Sequence, residues 1–360
     1  MGLNIISIEV FNKTYQKIVG EIDYLKEKLE GKLPVNSLEL IHLINLYGRK
    51  ENSHFKINGE DIKFYRNKAN LDKTYDLSKL DVSEIKDMCN IFSYSNFNGD
   101  ISNWNTSNVT NMDYMFYEAT NFNGNIGNWN TSKVTSMEYM FCRASNFNQI
   151  LNFDTNNVTN MRKMFSYAIK FNQPLDFNTS NIKNMESMFH GAENFNQKIN
   201  FNTNKVTDME GMFAYAKKIN QPLNFDTTNV TNMSCMFSNA TNFNQALIFN
   251  TSNVTNMAFM FSCTTNFNQA LNFDISNVID MENMFDEALA FENKYNSGKP
   301  LPNKIEDIKD WLIENRERMN MIDTKNIHGK EIDDFFSNFT DIHSTNGIGL
   351  HNNVLQKKFQ

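Results

Sequence analysis

The sequence predicts an α/β repeat solenoid: a curved horseshoe built from nine 24-residue copies, each with one short strand and one short helix. Three recurrences predict it. A methionine returns at Met88, Met112, Met137, Met161, Met185, Met209, Met233, Met257 and Met281. A Met-Phe pair follows it, from Met115-Phe116 to Met284-Phe285, with Ile91-Phe92 in the first copy. A Phe-Asn pair then begins at Phe97, Phe122, Phe147, Phe171, Phe195, Phe243 and Phe267; Ile219 replaces the phenylalanine in the sixth copy, and Phe291 is followed by Glu292 in the ninth. One step, Met112 to Met137, is 25 residues.

The elements divide the chain into an N-terminal cap (1–80), the array (81–290) and a C-terminal cap with a tail (291–360). In residues 8–30, Ile8, Phe11, Tyr15, Ile18, Ile22, Leu25 and Leu29 keep a three-four spacing between Ser7 and Gly31, which predicts a helix. Three heptads are enough for a coiled-coil seam, so this face either joins two copies of the chain or packs on the next helix of its own. That next helix is expected over Leu38–Tyr47, whose leucines and isoleucines surround it and require cover. Ser53–Tyr65 reads as a hairpin about Asn58-Gly59, with Phe55 and Ile57 before the turn and Ile62 and Phe64 after it.

Within a copy, Val158, Met161, Met164, Phe165 and Ala168 read as one face of a short helix, and Thr155-Asn156-Asn157 supply capping side chains. Phe171, Leu175 and Phe177 alternate with polar residues, as on a half-buried strand. Pro174 and Pro222 share a slot that a central strand tolerates poorly. One copy carries too few apolar side chains to fold alone, so neighbours must stack. With helices roughly 8–10 Å apart outside strands about 4.8 Å apart, each copy would turn by roughly 20°. Asp154, Asp226 and Asp274 share a slot with Asn178, Asn202 and Asn250, which reads as a turn or cap; a calcium ladder would need denser carboxylates. The asparagines from Asn98 to Asn268 either satisfy backbone groups between copies or line a binding surface.

The phrase Trp129-Asn130-Thr131-Ser132-Lys133-Val134-Thr135-Ser136-Met137, with Met140-Phe141 and Phe147-Asn148-Gln149 behind it, resembles the BspA-like bacterial surface-protein repeat over about residues 80–292. That resemblance implies a leucine-rich-repeat-like fold and an adhesin- or effector-like role at the surface or in secreted proteins and lipoproteins. The chain shows no export signal, lipobox or spanning apolar run, so the cytoplasm is the location expected by default.

After Ala290 the repeat stops, and Pro300 and Pro302 mark a linker. Lys304–Met319 reads as an amphipathic helix with Ile305, Ile308, Leu312 and Met319 on one face and Trp311 beside it; Glu331–Phe339 reads as a second. Both are expected to cap the last copy. Residues 341–360 show no period.

The chain has 360 residues and a formal charge of −7. Region 81–290 holds 11 basic and 19 acidic residues. Such a surface repels phosphate, which argues against nucleic-acid binding. Cys89, Cys142, Cys235 and Cys263 fall in unmatched slots, so free thiols are expected. The six histidines lack metal-ligand spacing, and neither flank carries a catalytic motif. The reading is a non-enzymatic scaffold that presents its repeats to a protein partner, with no cofactor, metal or membrane insertion. The alternatives are an assembly subunit joined through residues 8–30 and, less favoured, an enzyme in a flank. Candidate contact residues are those that break the repeat's polar surface: Ile248, where other copies have Asn or Asp, and Phe259, in the slot that holds Tyr114 and Tyr139.

Overall fold

The computed structural model describes residues 35, 40, 44, 53–57, 60–64 and 76–325. Strands β1 (Ser53–Ile57) and β2 (Glu60–Phe64) pair antiparallel with Ile57 opposite Glu60, the register expected of an Asn58-Gly59 connection. Val35, Leu40 and Ile44 belong to the buried core, and the Val35 N–H donates to the Asp81 carbonyl at 2.9 Å. Leu40 and Ile44 are helical. The rest of the helix expected over Leu38–Tyr47, the helix over 8–30, the helix over Glu331–Phe339 and the tail 341–360 lie outside the described residues.

The expected α/β solenoid is overturned. Between residues 81 and 288 the chain forms neither an α-helix nor a strand; each copy is turns and extended coil, with single bridging residues between neighbours. The reason is visible in the amides of the fourth copy. Met164, Ser166 and Ala168 donate to the carbonyls three residues back, Met161, Lys163 and Phe165 (3.0–3.2 Å). Lys163, Phe165 and Tyr167, between them, donate instead to Glu186, Met188 and His190 of the next copy (2.6–3.0 Å). A helix would send every amide along its own axis. Here alternate amides join the neighbours, and the three-residue turns return Met161, Met164, Phe165, Ala168 and Phe171 to the interior. A repeat spacing of three suits such turns as well as it suits a helix.

This zigzag requires left-handed backbone at two slots per copy. The first holds Tyr114, Tyr139, Lys163, Ser187, Gly211, Cys235, Phe259 and Asn283; the second holds Glu118, Arg143, Tyr167, Gly191, Tyr215, Asn239, Cys263 and Glu287, all with φ between 54° and 66°. For residues other than glycine that conformation costs of order 1 kcal/mol. The inter-copy hydrogen bonds made by these amides offset it.

The expected strand fails for a related reason. After each Phe of the Phe-Asn pair, the asparagine's own N–H finds a side chain rather than a ladder carbonyl. Asn148 Oδ1 accepts from Asn172 N–H, Asn172 Oδ1 from Asn196 N–H, and Asn196 Oδ1 from Asn220 N–H, each at 2.9 Å. The asparagine row therefore does satisfy backbone groups between copies. A second row runs beside the turns, where Asn157 Nδ2 donates to Ser132 O and Asn181 Nδ2 to Asn156 O. Asp154, Asn178, Asp226 and Asp274 each accept the N–H two residues on, which makes the shared Asp/Asn slot a turn position. Buried threonines complete the frame: Thr155 Oγ donates to Asn178 O and Thr179 Oγ to Asn202 O.

The core is a pile of side-chain ladders. Phe116, Phe141, Phe165, Phe189, Phe213, Phe237 and Phe261 stack on one another at 5.5–5.9 Å. Phe189 also packs on Phe195 at 4.2 Å. Ring planes in the first ladder tilt by only 1–10° per copy. That is below the roughly 20° that outlying helices would impose, so the horseshoe curvature loses its cause along with the helices. At the N-terminal end Trp104 and Trp129 stack at 6.1 Å, and their Nε1 atoms donate to Leu77 O and Ile101 O. The exit segment after the Phe-Asn pair is one residue longer in the first two copies (Phe97 to Trp104, Phe122 to Trp129) than in later ones (Phe147 to Phe153), and Gly127 lies in the last of the longer exits, where a Cβ would stand 2.4 Å from the Ile150 carbonyl oxygen. The cysteines are unpaired, and burial pushes the Cys142 thiol up to about 11.

The array ends against helices α1 (Leu289–Tyr295) and α2 (Ile305–Lys325). Phe291 continues the second phenylalanine ladder, 5.9 Å from Phe267, and Trp311 lies 6.2 Å from it. Ile308, Leu312 and Met319 are buried. Cationic and hydroxyl groups meet carbonyls of the last two copies: Lys294 and Tyr295 donate to Asn268 O, Lys309 to Val278 O and Arg316 to Phe273 O. No described helix is long and apolar enough to cross a membrane.

Candidate recognition face

The paired-turn segment of each copy, such as 160–168, has two sides. Its methionines, phenylalanine and alanine are buried, while Arg162, Lys163 and Tyr167 between them reach the surface. Because the amides of this segment bind directly to the next copy, outward side chains of neighbouring copies fall close together. Tyr114 and Tyr139 stack at 4.6 Å with a 10° tilt. Tyr117 joins them at 5.7 and 6.1 Å, and Tyr94 meets Tyr117 edge-on at 5.3 Å. Burial raises the phenols of Tyr114 and Tyr117 above the usual tyrosine range.

The next copies extend the row. Arg162 donates Nε and Nη2 to the two Glu186 oxygens (2.6 and 2.8 Å) and Nη1 to Glu138 and to the Tyr139 hydroxyl (3.1 and 2.9 Å). Lys163 pairs with Glu186 at 3.0 Å. Both cations lie over the Tyr139 ring, at 5.4 and 5.5 Å from its centre. Burial pushes the Glu186 carboxyl up, but hydrogen bonds from Arg162 and Lys163 outweigh it and hold the group below the usual range. Arg143 lies 5.6 Å over Tyr167 and pairs with Glu118 at 3.0 Å. His190 Nε2 is 3.0 Å from the Tyr167 hydroxyl, and its ring is 5.0 Å from Tyr167 and 5.4 Å from Tyr215. Burial, and then the Lys163 charge, lower the His190 pKa. Gly191 makes room for this group: a Cβ there would stand 2.6 Å from the Tyr167 ring.

Of the sequence-predicted contact residues, the structure brings Tyr114 and Tyr139 together. Phe259, 40% exposed, occupies their slot farther along, beyond Ser187, Gly211 and Cys235. Ile248, 54% exposed, lies on the exit segment rather than in a paired turn, apart from this row. Sequence comparison of that single slot missed Tyr94, Tyr117, Tyr167 and Tyr215. The signal was present, since Tyr167 and Tyr215 recur four residues after the slot it compared and would share its side in a helix or in these turns.

The same face holds the array's charge excess. Its paired-turn segments carry Asp87, Asp113, Glu118, Glu138, Glu186, Asp208, Glu210, Asp280, Glu282, Asp286 and Glu287 against Arg143, Arg162 and Lys163. The other eight acidic residues of 81–290 are matched by eight basic ones. Burial raises the Asp208 pKa, and neighbouring Glu186 and Glu210 add to the rise.

A family model described as "Mycoplasma protein of unknown function, DUF285" matches residues 61–176, 148–225 and 223–324. No curated protein and no solved structure matches the chain.

Proposed function

Because this chain belongs to the DUF285 family, whose description assigns no activity, its role is read from its surface, and we propose that the array is a non-enzymatic scaffold that recognises a protein partner through the paired-turn face. The observation that supports this is the row of tyrosines from Tyr94 to Tyr215 on one side of the array. Tyrosine contributes large contact area at a low cost in conformational entropy and carries a hydroxyl for hydrogen bonding, which suits it to interfaces. The backbone beneath is fixed copy to copy, so the rings are held in place before a partner arrives, and less ordering is paid on binding. An adhesin- or effector-like use, implied by the resemblance to BspA-like surface repeats, is consistent with this reading. Assembly through residues 8–30 rests on residues outside those described.

A photo-cross-linking amino acid placed at exposed Tyr215, and separately at exposed Asp176 on the exit segment, tests the reading in cells of the source. The Tyr215 position should give a discrete protein adduct that the Asp176 position does not. Adducts at Asp176 alone would place recognition on the other side of the array.

A further inference from the structure

Resting on that reading, we infer that the partner segment is basic: a lysine- or arginine-rich stretch whose cations lie against the tyrosines and carboxylates of the paired-turn face.

Charge decides between occupants. The face holds eight more acidic than basic residues, and the remainder of the array is balanced. A second copy presenting the same face would be repelled, and an acidic or phosphate-bearing partner equally so. The negative charge is also unevenly compensated. Glu118, Glu138 and Glu186, in the second, third and fifth copies, are paired with Arg143, Arg162 and Lys163. Among the described residues, no cation stands within ion-pair distance of Asp208, Glu210 or Glu282.

The side chains there are small as well. Ser187, Gly211 and Cys235 occupy three consecutive positions of the slot that holds Lys163 before them and Phe259 after them. In the same copy as Gly211, Tyr215 is 44% exposed and Glu210 is exposed. The chain also contains its own example of the contact proposed. Arg162 and Lys163 lie over the Tyr139 ring while bonded to Glu186, and Arg143 lies over Tyr167 while bonded to Glu118. In the later copies the face still carries aromatic and acidic residues, Tyr215 and Glu210 in the sixth, Phe259 in the eighth and Glu282 in the ninth, and the cation is left for the partner to supply. A cation held by both a ring and a carboxylate gains from each.

The test uses the full chain and two fluorescent dodecapeptides, one of alternating Arg and Gly and one of alternating Glu and Gly, followed by anisotropy at low and moderate salt. Three variants accompany the native chain: Tyr215→Asn with Phe259→Asn, Glu210→Gln with Glu282→Gln, and Asp176→Asn as a control on the exit segment. Asparagine is chosen for the first because Asn239 and Asn283 already occupy the same left-handed slots. The Arg peptide should bind with an affinity that falls as salt rises, the Glu peptide should not bind, and each of the first two variants should weaken binding by about fivefold or more. The control should leave it unchanged. Failure of the Arg peptide to bind the native chain overturns the inference. So does equal binding to the native chain and the aromatic variant, because a general attraction to an acidic protein would survive loss of the rings. A Tyr215 cross-link in cells combined with either failure would leave the recognition face standing and remove only its basic partner.

Discussion

At the scale of single residues, the decisive feature is left-handed backbone at two slots per copy. Its sign was legible in the sequence: Asn90, Gly211 and Asn283 share one slot, and Gly191 and Asn239 the other, and these are the residue types that adopt positive φ most readily. The tyrosines, arginine and lysine in the same slots hid it, because they are ordinary helix-surface residues. Tyr215, at φ 58°, allows the point to be measured. Tyr215→Val places a β-branched side chain where its Cβ substituents crowd the backbone, and should destabilise the chain by about 1–3 kcal/mol in urea unfolding. Tyr215→Asn removes the same ring and should cost less than about 0.5 kcal/mol. Equal losses for the two would mean that the ring, and not the backbone, is what the position contributes to stability.

At the scale of elements, sequence reasoning recognised the inward residues and misread the path between them. Met161, Met164, Phe165 and Ala168 are all fully buried, as the helix reading required, and so is Phe171, as the strand reading required. Periodicity reports which side chains return to the core and not how the amides between them are satisfied. The asparagine row shows the missing half of the argument, since a side-chain carbonyl replaces the ladder partner that a strand would have used. Asn172 Oδ1 accepts from Asn196 N–H at 2.9 Å and from Gln197 Nε2 at 3.1 Å. Asn172→Ala strands both donors and should cost about 1–3 kcal/mol, whereas Asn172→Asp keeps the acceptor and should cost clearly less. If the aspartate variant unfolds at the same denaturant concentration as the alanine variant, the acceptor is not what the row supplies. The face was legible in part for a similar reason. Tyr114 and Tyr139 were found by comparing one slot, but their 4.6 Å stacking depends on a copy-to-copy spacing that no single copy encodes.

At the scale of the whole molecule, the copies hold one another through bonds that recur at a fixed offset, so the 24-residue period is a structural register and not only a pattern of composition. Thr203 Oγ donates to Asp226 O, Thr227 Oγ to Asn250 O, and Phe213 N–H to Met236 O. Removing one whole period should therefore be tolerated better than removing half of one. Deletion of residues 203–226 joins Asn202 to Thr227 and sets every slot of the fifth copy against the same slot of the seventh. It also removes Ile219, the one break in the second phenylalanine ladder, and would bring Phe195 onto Phe243. Such a chain should fold with a single cooperative urea transition, its denaturant slope reduced in proportion to the surface lost with one copy. Deletion of residues 203–214 removes half as much sequence but sets paired turns against exit segments, leaving amides without carbonyls and inward side chains against outward ones. That chain should lose the cooperative transition and expose hydrophobic surface to a dye. If the shorter deletion unfolds at the same or a higher urea concentration than the longer one, the copies are not held in register by these bonds, and the recognition face built on their alignment falls with them.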